Sequence, residues 1–125
     1  LTYVAQLHVR DLAANKVSPP YTLHSWSKNG PWEGVRYTAN HRHARLMWNK
    51  PKELTSYKGD GFEVTFSRKG GASAKSAFKS WVDQRSVNDI ILNSGNWETI
   101  QWHAIGIGVF GDFAVIWFGD QEDVQ

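Results

Sequence analysis

The sequence has no cysteine among its 125 residues, which excludes disulfides, thiolate chemistry and cysteine-ligated zinc. This absence does not fix a compartment, because a chain of this length buries enough surface to fold without cross-links. It also has little net charge. Fourteen Lys and Arg stand against twelve Asp and Glu, leaving +2. The pI near 9.0 reflects that small excess and not a polybasic surface, so composition gives no footprint for a nucleic-acid or membrane partner. No apolar run approaches the length of a membrane span. No leader segment is expected within these residues, and they show no internal repeat and no low-complexity stretch. The chain opens directly on a helical pattern, and its usual start is expected to have been removed.

What the chain has in abundance is aromatic residues: seven Trp, six Phe and four Tyr. They predict an aromatic core within one domain over 1–125. Leu1, Val4, Ala5, His8 and Leu12 fall at helical spacing and predict an amphipathic helix over 1–14. Pro19 and Pro20 end it, and an extended piece follows over 21–26. Asn40 is read as the cap of a short helix reaching Met47 and Trp48. Pro51 suits the first turn of another, ending near Tyr57. Phe62, Val64 and Phe66 alternate with Glu63, Thr65 and Ser67, a strand with one apolar and one polar face. Ala74, Ala77, Phe78, Trp81 and Val82 predict a helix that buries Phe78 and Trp81 and exposes Lys75 and Lys79. Segment 87–98 can be read as loop or as apolar element.

Residues 104–110 and 113–118 flank Gly111-Asp112, a two-residue turn with glycine first, as a type II′ hairpin prefers. Pairing Phe110 with Phe113 sets Gly108 against Val115 and Gly106 against Trp117. Ile105, Ile107 and Val109 then oppose Ala114, Ile116 and Phe118 on the other face. Both faces are apolar, so both are expected to be covered by helices. The fold class predicted is α+β, a three-layer α-β-α sandwich with a mainly antiparallel sheet.

Several segments, in order, resemble the CAP superfamily (cysteine-rich secretory proteins, antigen 5 and pathogenesis-related 1 proteins) in its cysteine-poor bacterial form. Leu1–His8 is similar to the family's first-helix segment and His24-Ser25-Trp26-Ser27 to its His region. Met47–Thr55 resembles a segment of the bacterial branch. Gly61-Phe62-Glu63 stands where the family has Gly-Glu-Asn or Gly-Tyr-Glu. Trp81, Asn88 and Ile90–Asn93 resemble a Trp-x-x-Ser-Pro-Gly-His-Asn stretch, and 102–108 with 114–119 the closing hairpin. The resemblance implies an extracellular or periplasmic domain whose cleft presents two His and one or two Glu.

By that resemblance His24 and Glu63 are the cleft candidates, with Asn88 a weaker ligand-binding candidate. The second His falls at Val87, and Gln84-Arg85 replaces the Ser-Pro. Asp83 is only a rough counterpart of the second acid. Val35, Arg36 and Leu46 stand where related bacterial domains carry cysteines. One imidazole and one carboxylate make a poor zinc site, so no metal, no cofactor and no catalytic residue is assigned.

The remaining candidates read more simply as structure. His8, on the apolar stripe of the first helix, is read as a satisfied core histidine. His41, Arg42, His43 and Arg45 are read as a solvated basic face, with phosphate or an acidic partner as the alternative, and His103 as an edge residue. Gly106-x-Gly108 lies inside a strand and opens no helix, so it is no phosphate loop. Ser25 and His24 are neighbours in an extended piece and point apart. Glu53, Asp60 and Asp83 have no glycosidase spacing. Three functions stay open: a monomeric, non-catalytic module binding a lipid, sterol or cell-surface component; a metal-dependent hydrolase; and a structural module of an envelope protein.

Overall fold

A computed structural model describes residues 1–123; Val124 and Gln125, the end of the expected 1–125 domain, lie outside it. The described chain is α+β, with one small antiparallel sheet. Helix α1 spans Thr2–Ala14, α2 Ala44–Trp48 and α3 Lys50–Leu54. Strand β1 spans Gly61–Ser67, α4 Ala74–Asp83, α5 Arg85–Leu92, β2 Ala104–Phe110 and β3 Phe113–Gly119. The strand order is β1-β3-β2, so β3 is central and pairs antiparallel with both neighbours. No helix among the described residues is long and apolar enough to cross a membrane.

The predicted hairpin register holds at every pair, including Gly108 with Val115 and Gly106 with Trp117. Gly111 has φ 58°, a left-handed value suited to the first central position of the turn. The physical reason for the two strand glycines differs from the one the register suggested. A Cβ on Gly106 would lie 2.1 Å from the carbonyl carbon of Leu1, and one on Gly108 2.5 Å from the carbonyl oxygen of Ala5. The glycines let the backbone of α1 lie directly on β2; room for Trp117 is secondary.

Two apolar clusters occupy the two faces of the sheet. Val4, Ala5, Val9 and Leu12 of α1 join Trp26, Tyr37, Met47, Val115 and Trp117 in the first. Ala77 and Trp81 of α4 join Val64, Ala114, Ile116 and Phe118 in the second. Helix α4 starts at a capping box: the Ser76 amide donates to Ser73 Oγ and the Ser73 amide to Ser76 Oγ, each at 3.0 Å. Trp81 is then buried, and its Nε1 donates to the Thr65 carbonyl at 2.8 Å.

Four expectations are corrected. Phe78 is exposed, with Lys75 and Lys79, because α4 packs over β1 and β3 and leaves its Phe78 flank beyond them. For the same reason the second face of the hairpin is open at β2: Ile105 and Ile107 are 55% and 48% exposed, while 114–118 of the central strand are all buried. Asn40 does not cap α2. Its side chain accepts the Arg42 amide, and the chain enters α2 through a left-handed His43. Helix α3 ends at Leu54, three residues early, because Thr55 leaves helical geometry and turns its hydroxyl back onto the Pro51 carbonyl. The ambiguous segment resolves into α5 and a 3₁₀ turn over Gly95–Trp97.

Gly106→Ala is expected to destabilise by at least about 1–3 kcal/mol, since its methyl meets backbone that cannot rotate away. Ile107→Thr next to it should stay within about 0.5 kcal/mol. Urea midpoints of both variants check the pair. On the second face, Trp81→Ala should lose about 3–5 kcal/mol through an unfilled core. Phe78→Ala should leave the thermal midpoint nearly unchanged.

Candidate functional site

His8 lies on the stripe of α1 that faces the sheet, between Ala5 and Leu12, and is completely buried. An imidazole there must find polar partners, because both ring nitrogens lose water. Nε2 donates to the Ser25 carbonyl at 2.9 Å, and Nδ1 meets Glu63 Oε2. Trp26 stacks flat on the ring, with centroids 4.3 Å apart and planes 6° from parallel. Glu63 reaches His8 because odd-numbered residues of β1 face α1: Glu63 pairs with Trp117 in the register. The face read as polar from sequence is therefore interior at this position, and Glu63 is only 5% exposed.

The second carboxylate oxygen, Oε1, accepts from His24 Nδ1 at 2.9 Å. His24 and Glu63 thus meet, as the resemblance implied. The His24 segment is anchored on both sides. Trp26 exchanges backbone hydrogen bonds with Val35, and Ser25 Oγ accepts the Tyr37 amide at 2.9 Å. Ser25 points away from His24, as expected of neighbours in an extended piece, and its hydroxyl is held by the backbone of Tyr37.

The charge balance follows from these partners. Burial pushes the Glu63 carboxyl up, but the charge of His8 and hydrogen bonds from His24 and His8 outweigh burial and hold it below its ordinary value of 4.5. Burial, reinforced by the Glu63 carboxylate, raises the Tyr37 hydroxyl, which keeps its proton at neutral pH. That hydroxyl pairs with His41 Nδ1 at 2.8 Å.

These groups floor one end of a cleft of about 280 Å³ along the free edge of β1. Its polar lining is His24, Tyr37, His41 and Glu63, and its walls are Met47, Trp48, Phe62, Ile90 and Trp97. The Phe62 ring is 5.7 Å from Trp48 and 5.5 Å from Trp97. Helix α2 supplies one wall, and α5 with its 3₁₀ turn the other.

Asn88 and Val87 do not join the cleft. Asn88 shares α5 with Ile90 but is absent from the lining, and Val87 packs on the second apolar cluster. The position expected for a second imidazole thus points into the core, because 85–92 is helix and not the loop of the resemblance. His103 and Asp83 are exposed and away from the cleft, and Glu53 and Asp60 are paired with Lys50 and Lys52. Sequence reasoning placed His8 in the core without its partner, read His41 as part of a solvated basic face, and did not single out Tyr37. The signal for His8 was its place at the centre of an apolar helical stripe, which demands a buried acceptor.

Because Glu63 ionises more readily in the folded chain, its contribution is fully present above about pH 4.5 and is lost as pH falls through the lower folded value. Glu63→Gln is expected to lose about 3–5 kcal/mol at neutral pH, as breaking a buried pair does. It should also flatten the wild-type decline of the urea midpoint on acidification below about pH 4.5. Compared with known proteins, the chain matches no family model, no curated protein and no solved structure.

Proposed function

We propose that this chain is a CAP-type domain, acting outside the cell, whose cleft binds a small ligand without catalysing its conversion. One observation carries the reading. Both oxygens of Glu63 are consumed, one by His8 and one by His24. The polar floor is therefore a structural lock, and the aromatic walls are left to meet a ligand. The resemblance over the first helix, the His24 segment and the closing hairpin supports the family assignment. Helices packed on opposite faces of the sheet support a three-layer arrangement. The secreted location rests on the resemblance.

The hydrolase alternative needs a metal, and the donor set does not fit one. His24 and His41 each leave Nε2 without a partner among the described residues, both Glu63 oxygens already accept from imidazoles, and Val87 packs on the second apolar cluster. Among the described residues no three His, Asp or Glu side chains are disposed to hold an ion.

Nile red, an uncharged apolar fluorophore, is expected to bind the purified domain saturably at a single site. Ile90→Trp, which fills the cleft, should abolish that binding with little change in thermal midpoint. Binding that survives Ile90→Trp would place the site elsewhere. Titration with zinc should give no heat at neutral pH; tight 1:1 binding lost in His24→Ala would favour the hydrolase.

A further inference from the structure

The second face of the sheet is covered unevenly, and its open part has the form of an interface. Phe78 and Val82, one turn apart on α4, are 58% and 38% exposed, and Ile105 and Ile107 of β2 are about half exposed. Together they leave on the order of 400 Å² of apolar side chain in water, a size at which a surface patch calls for a partner. Other exposed aromatic rings are accounted for locally. Phe110 lies under the Arg10 guanidinium at 4.8 Å, and Tyr21 under that of Arg36 at 6.0 Å.

Phe78 and Ile107 border a depression of about 160 Å³, lined also by Ala77, Trp81, Val109 and Ile116. Its lining is apolar throughout: the only polar side-chain atom, Trp81 Nε1, already donates to the Thr65 carbonyl. A cavity of about 150 Å³ with such a lining stays dry and holds one benzene ring. The depression is thus sized for one phenyl group and offers nothing to a polar one. The same patch also carries a phenyl group that projects, that of Phe78. One surface supplies both the ring and the hole, which is the self-complementarity of a two-fold contact.

We propose that this face joins two copies of the chain in a two-fold dimer, with Phe78 of each entering the depression of the other. The inference is independent of what the cleft binds. Charge favours one orientation. Strands β2 and β3 carry no charged residue, so like charges do not meet across the sheet. Helix α4 carries Lys75, Lys79 and Asp83, all exposed and without an ion pair among the described residues. Phe78 sits at the middle of α4, so a two-fold beside it runs the two helices antiparallel. Lys75 of each copy then stands near Asp83 of the other, and the charges complement each other twice. The patch is about half of the roughly 800 Å² that each partner buries in a stable complex. That sets a Kd on the order of 10–100 µM. At about 1 µM the chain is therefore monomeric, and stability measured there is that of the single copy.

The test is sedimentation velocity of the full chain over a range of about 1 to 500 µM. The wild type should pass reversibly from monomer to dimer and no further, because a two-fold contact closes at two copies. Phe78→Ser should weaken the dimer at least about tenfold, while its thermal midpoint at about 1 µM stays unchanged. Lys75→Glu should also weaken it, and adding Asp83→Lys should restore it, which a variant that merely misfolds would not show. Tyr3→Ser removes a ring that is as exposed as Phe78 but stands on α1, and it should change nothing. A chain that stays monomeric throughout that range, or a dimer that persists in Phe78→Ser, would overturn the inference. So would association that continues past two copies, a loss in Tyr3→Ser equal to that in Phe78→Ser, or a charge exchange that restores nothing. A monomer that binds anionic vesicles through Phe78 would overturn it in favour of a membrane surface.

Discussion

The buried carboxylate of Glu63 is the constraint on which the rest of the structure turns. An isolated carboxylate in this interior would be prohibitive, so its partners are obligatory. They come from helix α1, through His8, and from the irregular segment before Trp26, through His24. His8 in turn holds the Ser25 carbonyl, which fixes the backbone beside His24. One carboxylate therefore pins three stretches that are distant in sequence. Apolar residues of equal volume could supply comparable stability, but they would not specify which helix meets which strand.

The close seat of α1 on the sheet completes that arrangement. A helix normally stands off a strand by the size of its side chains, but at Gly106 and Gly108 there are none. The backbone of α1 descends onto β2 and places Leu1 beside Gly106 and Ala5 beside Gly108. At that height His8 reaches Glu63 on the far edge strand beneath Trp26. Gln6 Nε2 meanwhile donates to the Ile107 carbonyl at 3.3 Å. With Phe110 and Phe113 closing the turn as a bonded pair, Ile107 directs its carbonyl outward, so α1 also guards the edge of β2 against a further strand.

Much of this was legible in the sequence, and the failures have definite causes. The hairpin register followed from a two-residue turn and a strict period of two, which together admit no slip. Helices α1 and α4 followed from their apolar stripes. Phe78, Ile105 and Ile107 were misplaced because periodicity reports which residues share a face, not whether another layer is wide enough to cover them. Here α4 covers β2 only in part: Val109 packs on the second cluster, while Phe78 and Ile107 line a depression between them and stay exposed. The pairing of His24 with Glu63 was legible only through the family resemblance. His8 was read as a core histidine, which it is, but a local pattern could not name its partner. Val87 failed for another reason: a helix replaced the expected loop, so counting from Trp81 lost its geometric meaning.

The location of the cleft follows from how the two edges of the sheet are finished. The edge of β2 is guarded by α1, and its apolar second face lies open without enclosing a polar group. At the edge of β1, Glu63 faces α1 and Phe62 the opposite side. A cavity at that boundary inherits a hydrogen-bonding floor from the first face and aromatic walls from the second. Helix α2 lines it with Met47 and Trp48, and the chain enters that helix through left-handed residues at His41 and His43. Arg42 and Arg45, within and after that turn, stay exposed. Each oxygen of Glu63 already accepts from an imidazole. The imidazole-carboxylate lock thus ties the cleft's floor to the fold, while its walls are built from apolar and aromatic side chains.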